Sequence, residues 1–290
     1  VADPGTRRLL LEQGDADVAY DLGADQFAAL AHQPGVRVAG FPSGLIYYLG
    51  FNTQNPQQPV LGNPAFWQAA RWLVDYDGIA NQLLKGQFQV HQAFLPQGFD
   101  GALESKPFHL DVAKAKAILA GAGIKPGTHV DLTIVNQPPY TDVAQALQAS
   151  FAQADITLNI KPVPEAELWG KMRSRDFQSI FIYWGPDYID PNTNASTFAY
   201  NVPGGPKTLA WRVGWQIPSL SEQTRTAAAA SDATQRHALY TQLQTEIQQN
   251  SPYVVTLQGQ RQVGLRSDIE GASQNLGNSM LFYDAVSKKR

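Results

Sequence analysis

Two aspartates, Asp187 and Asp190, stand inside the segment YWGPDYIDP (residues 183–191), and their type and spacing make them the first candidates for chemistry in this chain. A carboxylate pair can act as general acid and base. Here the two lie around a turn bounded by prolines, which points them in different directions and argues against a shared reacting atom. A lone carboxylate beyond the end of a strand has another use, because it accepts charge-assisted hydrogen bonds worth roughly 1.5–3 kcal/mol. Asp187 follows Gly185-Pro186 and suits either a turn or a ligand contact. Asp190, directly before Pro191, suits a turn or helix cap and reads as structural.

Nearby aromatics fit a binding reading. Trp184 and Tyr140 offer flat faces with a polar handle, suited to a pocket that accepts varied side chains. Trp184 also ends an apolar strand, so core packing competes for it. The five histidines (32, 91, 109, 129 and 237) are scattered, and no Gly-x-Ser-x-Gly elbow, Walker loop or His-Glu-x-x-His occurs. The chain has no cysteine, which excludes a disulfide scaffold, a thiolate zinc site and a cysteine nucleophile together. Asn194-Ala-Ser196 matches a glycosylation acceptor, a three-residue pattern frequent by chance.

These residues need a frame, and the pattern supplies one. Asp3-Pro4 predicts a helix start and Gly14 its end. A strand near Val18, a helix over 25–32 and a strand over 36–39 follow. Residues 45–52 (LIYYLGFN), bounded by Pro42-Ser43-Gly44, predict a buried strand connecting two lobes. Helical spacing runs over 64–84 as one helix or a pair, then 90–108 reads as a long ordered loop. Asp111 caps a helix to Leu119, and strands over 130–135, 156–160 and 178–184 alternate with helices over 142–154 and 165–173. That alternation predicts an α/β fold with a mixed sheet. A polar, alanine-rich helical region over 220–249, a strand over 253–257 and a returning strand after Gln262 close the chain.

Composition narrows the class. With 290 residues and 43% hydrophobic content the chain can bury a sizeable core. Its 22 basic and 25 acidic residues leave a net charge of -3 and no basic stripe, so nucleic acid is excluded as a partner. No apolar run is long enough to span a bilayer, and no charged start precedes an apolar stretch, so an export signal would lie outside these residues.

Four stretches resemble the extracellular solute-binding protein family 5, the large binding proteins for dipeptides, oligopeptides, nickel complexes and related solutes. They are PGTRRLLLEQGDADVAYDL (4–22), LIYYLGFNT with FWQAARWLVDYDGIANQLLKG (45–53 and 66–86), HLDVAKAKAILAGAG (109–123) and YWGPDYIDP. Trp67 stands where the family usually has arginine. The resemblance implies the C-terminal half of a two-lobed protein with a type II periplasmic-binding-protein fold. Residues 1–44 would be a remnant of lobe I, 45–258 lobe II, and 259–290 the return to lobe I.

By the same resemblance Asp187 holds the ligand's α-amino group, with Trp184, Gly185, Tyr140 and Tyr188 around it. The arginine that pairs with a dipeptide carboxylate has its place at Pro138, and no arginine or lysine lies between Lys125 and Lys161. The implied protein is a periplasmic monomer without cofactor, metal or catalysis, which captures a peptide or other small solute for an ABC permease. Rival readings are a binder of a metal chelate, opine or sugar, a peptide-accepting chaperone or sensor module, and a hydrolase using Asp187 and Asp190.

Overall fold

The structure, a computed structural model, describes residues 1–277 and 281–289. The expected C-terminal return over 259–290 thus includes four positions, 278–280 and 290, that lie outside the described residues.

Helix α1 (Pro4–Gln13) starts where Asp3 Oδ1 accepts from the Thr6 amide at 2.7 Å and stops at Gly14, whose φ of 84° suits a residue without Cβ. Strand β1 (Val18–Tyr20) and helix α2 (Ala24–Leu30) complete the opening piece. Then comes β2 (Val36–Phe51), one 16-residue strand. It was expected as two strands parted at Pro42-Ser43-Gly44. The pairing does shift register between Pro42 and Ile46, but the backbone stays extended through it.

Its partner β7 (Tyr253–Arg266) likewise merges two expected strands, and the antiparallel β2–β7 pair runs from Val36↔Arg266 to Gly50↔Tyr253. On the other edge of β7 lie β3 (Phe88–Val90), against residues 257–259, and β1, against 263–265. The sheet has seven strands in the order β1-β7-β2-β6-β4-β5 with β3 beside β7. β4 (Thr128–Val135) lies parallel to β5 (Ile156–Val163) and to β6 (Ser179–Trp184), whereas β6 pairs antiparallel with β2. Central β6 buries Ile180, Phe181 and Ile182 in succession, as a strand covered on both faces must.

The helices flank this sheet. The stretch over 64–84 is a pair, α3 (Pro64–Arg71) and a π-helical turn (Gly78–Leu83). α4 (Val112–Gly121) is capped by Asp111, whose Oδ1 accepts from the Lys114 amide at 2.9 Å. α5 (Tyr140–Ala152) and α6 (Glu165–Ser174) connect the parallel strands. Two short helices, α7 (Asn192–Phe198) and α8 (Leu209–Arg212), were not anticipated, and the alanine-rich region divides into α9 (Pro218–Ala229) and α10 (Ala233–Asn250). The main core gathers buried residues from Ile46 to Leu257. Leu11, Ala19, Leu22, Phe27, Leu30 and Val36 form a second cluster, and Val263, Leu265 and Ile269 a third.

Candidate ligand-binding site

A cleft of about 670 Å³ opens beside the β2–β7 crossover. One wall is the loop and first turn leading into α2, residues 21–27. The other is formed by Ser43, Leu45 and Tyr47 of β2, the chain entering β3, and Pro138, Pro139 and Asp142 at the start of α5; Gly259 to Gln262 of β7 join them. The Pro138-Pro139 peptide is cis. The volume lies within the usual range of about 300–1,000 Å³ for small-molecule sites.

Charges on this wall are mostly engaged. Lys85 pairs with Asp25, and Arg261 Nη2 reaches Asp21 Oδ1 at 3.3 Å. Behind the wall, Tyr47 anchors an aromatic cluster, with ring centroids 5.0 Å from Phe88 and 6.0 Å from both Tyr140 and Tyr183. Burial pushes both the Tyr47 and the Tyr140 phenol up. Tyr183 Oη donates to Glu165 Oε1 at 3.1 Å, and Trp169 Nε1 donates to the same oxygen at 3.2 Å. These phenols stay neutral at ordinary pH, so they shape and hydrogen-bond rather than abstract protons.

The two aspartates that opened the sequence reading have separate environments. Asp190 is closed on the protein: Arg236 Nη2 lies 2.7 and 2.9 Å from its two oxygens, and the Asn192 amide donates to Oδ1 at 2.8 Å. Asp187 donates its backbone N–H to Thr193 Oγ1 at 3.1 Å while its carboxylate is exposed, next to Tyr188 and Ile189, which are 50% and 59% exposed. This separation leaves no carboxylate dyad.

None of the five residues expected around a ligand is on the cleft wall itself. Gly185 stands one side chain behind it, since a Cβ there would come within 2.6 Å of Leu45 Cδ2. Tyr140 stands behind Tyr47, and Trp184 faces Ile46 across the β2–β6 register, with its buried Nε1 lacking an acceptor among the described residues. Asp187 and Tyr188 are exposed on the loop after β6. Asn194 is fully buried and gives its Nδ2 to Phe94 O at 2.5 Å, so no sugar could be attached in this fold. The wall residues Asp21, Asp25, Lys85, Asp142 and Arg261 were missed, because they come from element ends up to 240 positions apart and share no local motif.

No group of three or more His, Asp or Glu among the described residues could hold a metal. Among the same residues no helix is long and apolar enough to cross a membrane. A mixed α/β sheet with flanking helices, the two long paired strands β2 and β7, and a cleft beside them are the parts of a type II periplasmic-binding-protein fold.

The sequence agrees at the level of family. The profile of bacterial extracellular solute-binding proteins, family 5 (Middle), matches residues 1–206, and the chain belongs to that family. Among curated relatives, the "Probable D,D-dipeptide-binding periplasmic protein DdpA" of Escherichia coli K12 is 28% identical over 273 residues, covering 93% of this chain and 52% of its own length. The nickel-binding periplasmic protein of the same organism is 26% identical, covering 88% of this chain and 51% of its own length. Glutathione-binding protein GsiB of Pectobacterium atrosepticum is 23% identical, covering 88% and 50%. The chain therefore spans about half the length of the curated relatives it matches. Among solved structures, HbpA2 from Haemophilus parasuis superposes with a TM-score of 0.86 at 23% identity, over 100% of this chain and 57% of its own. DppA from Helicobacter pylori, in complex with peptide STSA, gives 0.83 at 21%, over 100% and 56%.

Proposed function

We propose that the protein carrying this chain is the substrate-binding component of an ABC importer, which captures a peptide or similar small amine-bearing solute between two lobes and delivers it to a membrane permease. The observation that carries this reading is the cleft at the β2–β7 crossover, walled by the opening piece on one side and the main sheet on the other. Residues 45–258 would be the ligand-binding lobe, with 1–44 and 259–290 belonging to its partner. Support comes from the core, whose main cluster runs from Ile46 to Leu257 while the flanking residues cluster by themselves. Export to the periplasm and delivery to a permease are part of the same proposal and are supported by the family match and a periplasmic relative; a monomeric state is proposed with them.

Asp187 is the proposed anchor for the solute's amine, within a neighbourhood of Trp184, Gly185, Tyr140 and Tyr188. Its support is an exposed carboxylate without an ion pair among the described residues, beyond the carboxyl end of β6, where open α/β sheets bind their ligands. Pro138, on the cleft wall, supports a solute with no carboxylate at that point. Capture without chemistry is supported by the separated aspartates and the neutral phenols.

Titration calorimetry of the full-length protein tests the anchor with the peptide Ser-Thr-Ser-Ala and its N-acetylated form. Asp187→Ala should weaken the free-amine peptide by at least about ten-fold, in line with a lost charge-assisted bond. Unchanged affinity removes the assignment, and hydrolysis of the peptide removes the binder reading itself.

A further inference from the structure

The charged side chains on the cleft wall are Asp21, Asp25, Asp142, Lys85 and Arg261. Three carboxylates against two cations leave one net negative charge. Both cations are engaged, Arg261 with Asp21 and Lys85 with Asp25. The carboxylate of Asp142 has no cation within reach among the described residues, and its Oδ1 accepts from the neighbouring Thr141 hydroxyl at 3.2 Å.

Two of the wall's side-chain amides are also engaged within the protein. Gln87 Nε2 is given to Leu22 O at 3.0 Å, and Gln260 Nε2 to Gln89 Oε1 at 2.8 Å. Pro138 and Pro139 have no N–H to offer. Gln262 has a buried Oε1 without a donor among the described residues. What the wall lacks among the described residues is a cation that is not already paired with a carboxylate. A solute carboxylate placed here would meet Asp142 unscreened by any free cation.

We propose that Asp142 is a specificity-determining residue that selects solutes carrying a second protonated nitrogen, such as a basic side chain, and disfavours those presenting a carboxylate to this wall. This rests on the reading of the cleft as the solute site. Asp142 sits in the first turn of α5, where a negative side chain interacts favourably with the helix dipole. That position also gives it an ordinary helix-stabilising role, which the test must separate from selection.

The test uses the full-length protein, calorimetry and two tripeptides of equal length, Ala-Lys-Ala and Ala-norleucine-Ala, which differ in the ammonium group. The native protein should bind the lysine peptide about ten-fold more tightly. Asp142→Asn should bring the two within about two-fold by weakening the lysine peptide alone, and Asp142→Glu should retain the preference. Equal binding of both peptides by the native protein leaves the solute reading standing and overturns the role of Asp142. A preference that survives in Asp142→Asn overturns it too, as does an equal loss for both peptides, the mark of a purely structural residue. Failure of both peptides to bind at millimolar concentration removes the peptide reading and this inference with it.

Discussion

At the scale of single residues, burial sets which groups carry charge. His91 is 1% exposed, and burial away from water holds its imidazole down at about 4, although Nε2 has Leu95 O at 2.8 Å. In the unfolded chain the same group titrates near about 6.5. Between those values the unfolded chain binds a proton that the folded one refuses, so stability falls as pH drops through this window and rises as pH is raised. The difference amounts to about 3 kcal/mol at most, fully lost only below the folded value. Comparing native protein with His91→Gln by urea unfolding from pH 7 to pH 4 isolates it from the carboxylates. The variant should lose less stability on acidification, and parallel pH profiles would refute the buried-neutral assignment. Arg71 shows the opposite solution: also 1% exposed, it donates to Gln248 O at 2.8 Å, Ser251 O at 2.6 Å and Tyr253 O at 3.1 Å, tying the end of α10 to the start of β7. Asp190 and Asp187 were separable in the sequence, since Asp-Pro marks a structural turn. Asp142 was not, because its importance comes from which cations elsewhere are already paired.

At the scale of elements, capping and periodicity made most boundaries readable. The Asp3 and Asp111 caps fall where the pattern put them, and β4 covers the expected strand over 130–135, although its last four residues are buried in succession rather than in alternation. α7 was hidden because its buried positions include Thr193, Asn194 and Thr197, so no apolar period marks it. β2 and β7 were divided at Pro42 and Gly259 because those residues ordinarily interrupt strands. Here the interruption is taken up as a register shift near Ser43, whose carbonyl receives Gln258 Nε2 at 2.8 Å. Glycines near the crossover also receive the C-terminal tail. Gly98 has φ +100°, and a Cβ there would meet Leu276 Cδ1 at 2.6 Å; one at Gly44 would meet the Leu276 carbonyl oxygen at 2.0 Å. Gly98→Ala should therefore destabilise by roughly 1–3 kcal/mol through backbone strain and contact together. Adding Leu276→Ala should recover the contact part only. Denaturant unfolding of the single and double variants measures both, and a fully stable Gly98→Ala would show that the tail does not seat there.

At the scale of the whole molecule, the family was legible because its stretches span both the main lobe and the opening piece, whereas the cleft was not, because its two walls meet only after β2 and β7 pair. The geometry of that meeting carries a thermodynamic consequence. A small-molecule site reaches useful affinity by burying about 70–90% of its ligand, and hinged binding proteins do so by closing two lobes around it. The chain covers 52% of the length of DdpA, and under the proposed reading it supplies one complete wall of the site and part of the other. A solute entering the cleft of about 670 Å³ would keep much of its surface in water while still losing translational and rotational freedom. The 290-residue chain by itself should thus bind Ala-Lys-Ala with a dissociation constant weaker than about 100 μM. The full-length protein should bind the same peptide at least about a hundred-fold more tightly. Calorimetry on both, at matched pH and ionic strength, decides the matter. Micromolar or tighter binding by the chain alone would mean that this lobe holds the whole site, and the second wall would then serve permease recognition rather than affinity.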